Sequence, residues 1–252
     1  MSLGEALASD MIRITEVNKS GSVPNLKVIN KASTPVLLLD GEELIGAKQN
    51  RILNTTILLK ENSETVVPVS CTEQGRWSYQ SSEFADSMHV ASSRVRRAKS
   101  ASVNQSLKTM KNFQSNQGEV WEEIRETSHR AQVNSKTGAL RDIYSSRENL
   151  LEDYLKSFEL EEDQNGALFI INGDVMGMEV LYNKASYGNY HHKLVKSYAL
   201  DALLEEKKSS SKIKEKAHDF MKIVSQSQQA SYPSVGHGED YRFENKVSVG
   251  SG

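Results

Sequence analysis

The sequence contains only one cysteine, Cys71, among 252 residues. A single cysteine excludes an internal disulfide bond and is typical of proteins in a reducing compartment. No apolar run approaches the roughly 18 residues that span a bilayer, and residues 1–11 lack the basic start and the apolar core of a signal peptide. These absences predict a protein without a membrane segment, located in the cytoplasm.

A strong charge of one sign and the common metal-binding motifs are also lacking. The formal net charge is -2, so no overall field favours nucleic acid or an anionic membrane as a partner. Neither H-E-x-x-H nor C-x-x-C occurs, so we assign no metal ligands. Aromatic residues make up only 7% and hydrophobic residues 37% of the chain, which indicates a modest core that carries polar helices.

The first third of the chain has strand-like patterns. Asp40-Gly41 lies between two such patterns and predicts a hairpin with a type I′ turn. A second hairpin is expected from the later runs, where Pro68 favours an edge strand or a bulge because proline cannot donate a ladder hydrogen bond. The strand-like runs cover 12–17, 23–30, 35–39, 42–46, 52–59 and 65–70.

Helical spacing of apolar residues dominates the middle of the chain. Ser145 and Glu148 form an S-x-x-E capping box that predicts the start of a helix. The predicted helices cover 91–110, 117–131, a segment from 145 onward, 190–207 and 212–226, with strands at 167–172, 175–182 and 241–249.

These patterns predict a single α+β domain over 1–252. Its N-terminal third is rich in antiparallel β-structure, its middle section is helical, and a C-terminal strand follows. The expected parts are strand-rich at 12–77, helical at 90–160 and mixed at 167–250.

Three carboxylates, Asp40, Glu42 and Glu43, fall within four residues. In a strand, Glu42 and Glu43 point to opposite faces, so at most one of them shares a face with Asp40. One carboxylate could hold Mg²⁺ or a ribose hydroxyl, and Glu43 is a candidate catalytic residue. The alternative is that Asp40 is only a turn residue and that the glutamates are solvated.

Lys48, Asn50 and Arg51 follow in a dense polar stretch between apolar runs. The guanidinium of Arg51 offers a fork suited to bidentate phosphate binding, and Lys48 adds a point charge. Asn50 could orient a ligand through its amide. All three are candidate substrate-binding residues, and the alternative is a polar crossing between two hairpins.

The segment 70–77 ends a predicted strand, where functional groups are often found. Glu73 is a candidate general base, Arg76 a candidate anion clamp, and Trp77 a candidate stacking platform. An Arg76–Glu73 ion pair with a purely structural role is the competing interpretation. Cys71 is interpreted as a small buried hydrophobe rather than a nucleophile.

Three further candidates lie in the last third. Asp174 follows a glycine in a turn of the kind that approaches a ligand, and His237, flanked by glycines, can titrate near neutrality and move protons. Arg242 follows as a candidate anion ligand. Simple surface turns are the alternative at both places.

The basic run 94–99 is interpreted as a solvated helix face or as a groove for the acidic stretch 159–163.

Five segments occur in order across nearly the whole chain and carry a resemblance: DGEELIGAKQN, PVSCTEQGRW, INGDVMGMEVL, HHKLVKSYALDAL and GHGEDYRF. Together they resemble the family named for its association with ADP-ribosylglycohydrolases and rhodanese-phosphatase proteins. The resemblance implies a role near ADP-ribose chemistry, without an established reaction. It also implies a strand before 4–7 and another after 241–249, so we expect that the chain lacks terminal strands.

Two functional hypotheses lead. The first is an enzyme, a hydrolase or transferase acting on an ADP-ribose-like or other phosphorylated nucleotide, in which Lys48, Arg51 and Arg76 hold phosphate while Glu73 or His237 moves protons. The second is a non-catalytic sensor that binds the same phosphorylated small molecule. An adaptor that uses the basic run 94–99 is a third hypothesis. The cofactor stays open, with Mg²⁺ as the candidate, and so does the oligomeric state.

Overall fold

The computed structural model describes residues 1–206, 212–245 and 248–252. The helices are α1 (Leu3–Ala8), α2 (Ser93–Met110), α3 (Gln117–Arg130), α4 (Leu140–Ser146), α5 (Glu148–Ser157), α6 (Lys184–Leu204) and α7 (Ile213–Ser225). The strands are β1 (Ile12–Glu16), β2 (Asn25–Asn30), β3 (Val36–Leu38), β4 (Glu42–Gly46), β5 (Arg51–Leu53), β6 (Ile57–Leu59), β7 (Ser63–Cys71), β8 (Phe84–Val90), β9 (Gly166–Ile171), β10 (Asp174–Val180), β11 (Gln228–Pro233), β12 (Glu239–Glu244) and β13 (Val249–Ser251).

The main sheet has the strand order β1-β2-β7-β5-β4-β8, and every pair in it is antiparallel. β1 and β2 bury alternate residues, because successive side chains point to opposite faces. β5 and the second half of β7 bury consecutive residues, so both of their faces are covered. One core cluster fills the space between this sheet, α1 and the short β3–β6 pair, and includes Leu3, Ile14, Val28 and Leu59.

The expectation that Pro68 marks an edge strand or a bulge is wrong, because β7 lies between β2 and β5 and its register with both strands has no shift. β7 pairs with β2 as far as Pro68, opposite Asn25, and pairs with β5 from Val69 onward. Pro68 therefore occupies the point where the strand changes partner. Its missing N–H leaves no gap in the ladder, since only its carbonyl is used there, as acceptor from Asn54 N–H at 3.1 Å.

The predicted Asp40-Gly41 hairpin is also wrong. β3 pairs with β6, whereas β4 pairs with β5 and β8. The chain does turn here, with the N–H of Glu42 donating to the carbonyl of Leu39 at 3.1 Å. Positive φ occurs at Gly41 (+80°) and not at Asp40, so the backbone departs from the type I′ pattern that would join the two strands as a hairpin.

Helices α2 to α6 pack around a second core cluster, which includes Ile52, Val95, Ile143 and Leu200. The predicted helices over 91–110, 117–131 and 212–226 are confirmed within one or two residues as α2, α3 and α7. The predicted end of a helix at 207 lies outside the described residues. The predicted capping box is wrong, because Ser145 lies within α4 and the residue before α5 is Arg147.

The last third contributes two small sheets. β9 and β10 form an antiparallel hairpin, and β11, β12 and β13 form an antiparallel sheet. Two strands, β12 and β13, overlap the single strand predicted at 241–249, and β11 precedes it; residues 246–247 lie outside the described part of the chain. The α+β class, with a strand-rich N-terminal third and helices in the middle, is confirmed. The single-domain organisation and the lack of terminal strands stay predictions.

None of the helices in the described part of the chain has the length and apolar character needed to cross a bilayer.

Candidate functional site

Glu73 and Arg76 form a buried ion pair just after β7. The carboxylate of Glu73 lies 2.6 Å from Nη2 of Arg76 and also accepts from the hydroxyl of Thr137 at 2.8 Å. Arg76 donates further to the carbonyl of Ala47 at 2.7 Å and to the side chain of Asn50 at 3.1 Å. Burial alone would raise the pKa of Glu73, but the hydrogen bonds from Arg76 and Thr137 hold it below its usual range. The pair therefore joins the β4–β5 connection to the segment after β7.

Arg51 lies beside this pair with its side chain fully buried. Its Nη1 donates to the carbonyl of Gln49 at 3.0 Å, and its Nη2 lies 3.8 Å from the carboxylate of Glu16. Burial lowers the pKa of the Arg51 guanidinium. The ring of Trp77, which is 48% exposed, lies 5.8 Å from this guanidinium and 5.1 Å from Nζ of Lys48.

Six predicted site residues are thus brought together. We call Lys48, Asn50, Arg51, Glu73, Arg76 and Trp77 the Glu73 cluster. The charges of Glu73 and Arg76 are satisfied by one another and by backbone carbonyls. Nε and Nη2 of the buried Arg51, by contrast, have no hydrogen-bond partner among the described residues, and the Lys48–Trp77 surface is open to solvent.

Cys71 is buried at the end of β7. Its thiol lies 3.0 Å from the side-chain oxygen of Gln49, and burial raises its pKa to about 11. The thiol is therefore protonated at neutral pH, and a protonated thiol is a poor nucleophile.

The two adjacent glutamates of β4 are both fully buried, so the alternative that they are solvated is wrong. Glu42 pairs with Lys193 of α6 at 2.7 Å. Glu43 accepts a hydrogen bond from the hydroxyl of Thr72 at 2.8 Å, and burial raises its pKa to about 7. At neutral pH, Glu43 therefore carries a proton for a large part of the time.

The remaining predicted residues make other contacts. His237 is exposed, and its ring lies 3.1 Å from the carboxylate of Glu61. Asp174 is exposed at the start of β10 and pairs with a lysine of α7. Arg242 is buried in a pair with Asp240. The contacts of these residues thus lie with β12, α7 and the β6–β7 turn rather than with the Glu73 cluster.

A cavity of about 830 Å³, which we call the large cavity, lies between α2, α7, β10 and β13. Its walls combine three kinds of side chain. Arg96, Arg97 and Lys216 are cationic; Asp40, Glu179 and Asp219 are anionic; Met176, Met178, Phe220 and Phe243 are apolar.

The floor of the large cavity is a hydrogen-bonded set around Glu179. Its carboxylate lies 2.7 Å from Nη1 of Arg96 and accepts from the hydroxyl of Tyr198 at 2.7 Å. The Tyr198 ring stacks on Phe169 with centroids 3.8 Å apart. Burial and the negative charge of Glu179 raise the pKa of Tyr198 well above its usual value. Tyr198 therefore remains a hydrogen-bond donor at physiological pH.

Gly177 of β10 allows this floor to form. A Cβ atom built at this position would lie 2.2 Å from the hydroxyl oxygen of Tyr198, much closer than van der Waals contact. The stacked ring cannot move aside freely, so a glycine here permits the close approach of backbone and ring.

No group of three or more His, Cys, Asp or Glu side chains that could hold a metal ion occurs among the residues in 1–206, 212–245 and 248–252.

A sequence model of the ARPP-1 domain, described as the ARG and Rhodanese-Phosphatase-superfamily-associated Protein domain, matches residues 1–252. The chain belongs to this family. No curated protein and no solved structure matches the chain.

Membership in the ARPP-1 family confirms the resemblance carried by the five ordered segments. The description of the family gives an association with ARG and rhodanese-phosphatase proteins, and not a reaction. The ligand, the chemistry and the cellular location of this ARPP-1 domain stay predictions.

The floor residues of the ARPP-1 cavity were not singled out from the sequence. The basic run 94–99 was expected to be solvated or to bind the acidic stretch 159–163, yet Arg96 is 8% exposed and Lys99 is fully buried. Arg96 pairs with Glu179, and Lys99 pairs with Asp40. One signal was present: polar residues recur on α2 at a spacing of four, at Arg96, Ser100, Asn104 and Lys108.

Proposed function

We propose that this ARPP-1 domain binds a phosphorylated nucleotide derivative of the ADP-ribose type in the large cavity. The observation that carries the proposal is the cavity itself. Its volume of about 830 Å³ lies within the range of roughly 300–1,000 Å³ of small-molecule sites. The association of the family with ARG proteins points to the same ligand class.

The walls of the cavity offer a partner for each part of such a ligand. Arg97 and Lys216 supply cations for the phosphates. The 2.6 Å pair between Lys216 and Asp174 is exposed, and an exposed pair contributes at most about 1 kcal/mol. Lys216 can therefore exchange Asp174 for a phosphate at little cost.

The other walls suit the sugar and the base. Glu179 has a second carboxylate oxygen that can accept from a ribose hydroxyl, since its contacts with Arg96 and Tyr198 involve Oε1. The adaptable side chains of Met176 and Met178, together with the ring of Phe220, give the cavity an apolar surface for the base.

Binding is tested by thermal shift and calorimetry with ADP-ribose, ADP and ribose 5-phosphate. We expect ADP-ribose to raise the Tm of the wild type in a concentration-dependent manner, because a ligand that binds only the native state stabilises it. Arg97→Glu, which places a negative charge in the phosphate wall, is expected to weaken binding at least tenfold. Arg125→Glu makes the same charge change on an exposed residue of α3 and serves as the matched control. Absence of any shift, or equal binding by Arg97→Glu, would contradict the proposal.

Turnover of the ligand is the second candidate function. It is favoured by the carboxylates of Glu179 and Asp219 among the cavity walls, because hydrolases and transferases use such groups to move protons. The Glu73 cluster is the other candidate location for the chemistry. Incubation with ADP-ribose and Mg²⁺, followed by chromatography of the products, distinguishes an enzyme from a sensor. Loss of turnover in Glu179→Gln would assign catalysis to the cavity, and loss in Glu73→Gln would assign it to the cluster.

A further inference from the structure

Two strands, β10 and β13, border the large cavity with their edges. Every residue of 175–182 and every residue of 248–252 lines it. Successive side chains of a strand point to opposite faces, so a cavity that meets consecutive residues meets the edge of the strand and not one of its faces. The main chains of β10 and β13 are therefore part of the cavity walls.

Both of these edges lack a strand partner. β10 pairs with β9 and β13 pairs with β12, and no other strand in the described part of the chain pairs with either of them. None of the residues in 175–180 and 248–251 is buried. Natural proteins usually protect an open edge with lysine or proline, yet neither strand contains one. The two edges are thus open to a further strand.

The register shows which main-chain groups of β10 face the cavity. In an antiparallel pair, residues that bond to the partner strand alternate with residues whose N–H and C=O point away from it. The N–H of Leu181 donates to the carbonyl of Asn165, on the β9 side, at 2.9 Å, and the register has no shift between Val180 and Met178. Val180 and Met178 therefore direct their N–H and C=O groups away from β9.

The same alternation applies to β13. Tyr241 and Gly252 exchange two main-chain hydrogen bonds, at 2.6 and 2.9 Å, and the register with β12 is regular along the whole of β13. Ser251 and Val249 therefore direct their N–H and C=O groups away from β12. Two rows of main-chain donors and acceptors thus border one cavity.

The cavity has the volume of one short strand. Five residues of extended chain are about 17 Å long and, at about 4.8 Å between strands and about 10 Å between layers, fill roughly 800 Å³. The volume of the large cavity is about 830 Å³. One added strand therefore fills the space between the two edges.

The other walls select the side chains of such a strand. Glu179 of β10 contacts Arg96, so the polar wall of α2 lies on one face of β10. The preceding residue, Met178, points to the opposite face, and α7 adds the apolar side chains of Phe220 and Ile223 to the cavity. An added strand that alternates polar and apolar side chains matches these walls.

We propose that the large cavity accepts an extended segment of a partner protein as a strand between β10 and β13. Its main chain bonds to Met178 and Val180 on one side and to Val249 and Ser251 on the other, which joins the two small sheets into one. The site does not depend on the ADP-ribose proposal. Because one strand fills the cavity, the segment and the nucleotide exclude each other.

Fluorescence anisotropy with a labelled peptide of sequence KTVTVTVTK tests the site on the full chain. Saturable one-to-one binding to the wild type is expected. N-methylation of the valines removes the N–H groups from one edge of the peptide, and N-methylation of the threonines removes them from the other. Each modification is expected to weaken binding about tenfold or more, because several hydrogen bonds are lost. A strand that pairs along a single edge would tolerate one of the two.

A pair of proline variants assigns the effect to the open edge of β10. Val180→Pro removes an N–H that points away from β9, so the pairing with β9 stays complete, and the peptide is expected to bind about fivefold more weakly or worse. Leu168→Pro is the matched control. Leu168 lies opposite Met178 in the register, so its N–H points to the far edge of the same hairpin, and peptide binding should equal that of the wild type.

Four results would overturn the proposal. One is the absence of saturable peptide binding to the wild type. Another is undiminished binding of either N-methylated peptide, a result that stands on the wild type alone should Val180→Pro fail to fold. A third is a folded Val180→Pro that binds the peptide as tightly as Leu168→Pro does. The last is a dimer of the wild type in gel filtration that Val180→Pro dissociates, which would give the edges to a second copy of the chain.

Discussion

The Glu73 cluster and the large cavity contain similar charged side chains, but these side chains have different surroundings. In the cluster, the guanidinium of Arg76 is surrounded by the carboxylate of Glu73 and by backbone carbonyls. In the cavity, Arg96 and Glu179 also pair, but they do so on the floor of an open volume of about 830 Å³. Charged groups that saturate one another hold segments together, whereas charged groups that border a space can receive a ligand.

The comparison explains why polar density along the chain is a weak guide to function. The polar stretch 48–51 contributes half of the cluster, where the contacts of Arg76 stabilise a crossing of two loops. The cavity draws its walls from distant segments, each of which contributes only one or two charged residues.

The largest expected effect comes from breaking the cluster. Arg76→Leu leaves the carboxylate of Glu73 buried without its partner, which is expected to lower the free energy of unfolding by about 3–5 kcal/mol. Urea denaturation measures this loss. Arg125→Leu, which removes an exposed pair with Glu122, is the control and should cost less than about 1 kcal/mol. A loss in Arg76→Leu no larger than in the control would show that the cluster is not structural.

A smaller effect of opposite sign is expected at Glu43 of β4, which accepts a hydrogen bond from Thr72. Its pKa is raised to about 7 in the folded protein from an ordinary value of 4.5, so the native state binds more protons than the unfolded state between these two values. The titration of Glu43 therefore lowers the free energy of unfolding as pH rises from about 4.5 to 7, and it causes no further change above pH 7.

Glu43→Gln removes that titration while keeping an acceptor for Thr72. We expect the variant to gain about 2–3 kcal/mol at pH 7.5 relative to the wild type and little at pH 4.5. Urea denaturation at both pH values measures the difference. A gain that is the same at the two pH values would contradict the assignment of the shift to Glu43.

The smallest of the three effects on stability is expected at the cavity floor. Gly177→Ala places a methyl group against the hydroxyl of Tyr198, and overpacking of this kind costs about 1–2 kcal/mol. Because Tyr198 holds Glu179, the variant should also bind ADP-ribose more weakly by calorimetry. Gly118→Ala, in α3, is a control that should leave binding unchanged. If Gly177→Ala binds ADP-ribose as tightly as the wild type, the floor of the large cavity does not contribute to binding of this ligand.

The elements that the sequence predicted well are those with a long apolar period. α2, α3 and α7 follow from helical spacing, and β1 and β2 follow from alternation. The run predicted at 52–59 is divided between β5 and β6, and β8 lies where no strand was predicted. The partners of the strands did not follow, because β3 pairs with β6 across an intervening segment although Asp40-Gly41 favours a local hairpin. A turn motif acts over four residues, whereas pairing is decided by the whole core.

The candidate site also contains some contacts that the sequence indicated and others that it did not. The ion pair between Glu73 and Arg76, which the sequence offered only as the alternative to a general base and an anion clamp, is present. The partnership of Arg96 with Glu179 and Tyr198 joins three separate elements. The local pattern, polar residues at a spacing of four on α2, does not identify an inward face, since inward faces are recognised by an apolar period.

Hydrogen–deuterium exchange of the wild type, with and without saturating ADP-ribose, tests most directly whether the large cavity rather than the Glu73 cluster receives the ligand. We predict slower exchange in 93–100, 174–182 and 213–225, which border the cavity, and unchanged exchange in 46–51 and 73–78. Slower exchange confined to 46–51 and 73–78 would contradict this prediction and indicate that ADP-ribose binds at the Glu73 cluster.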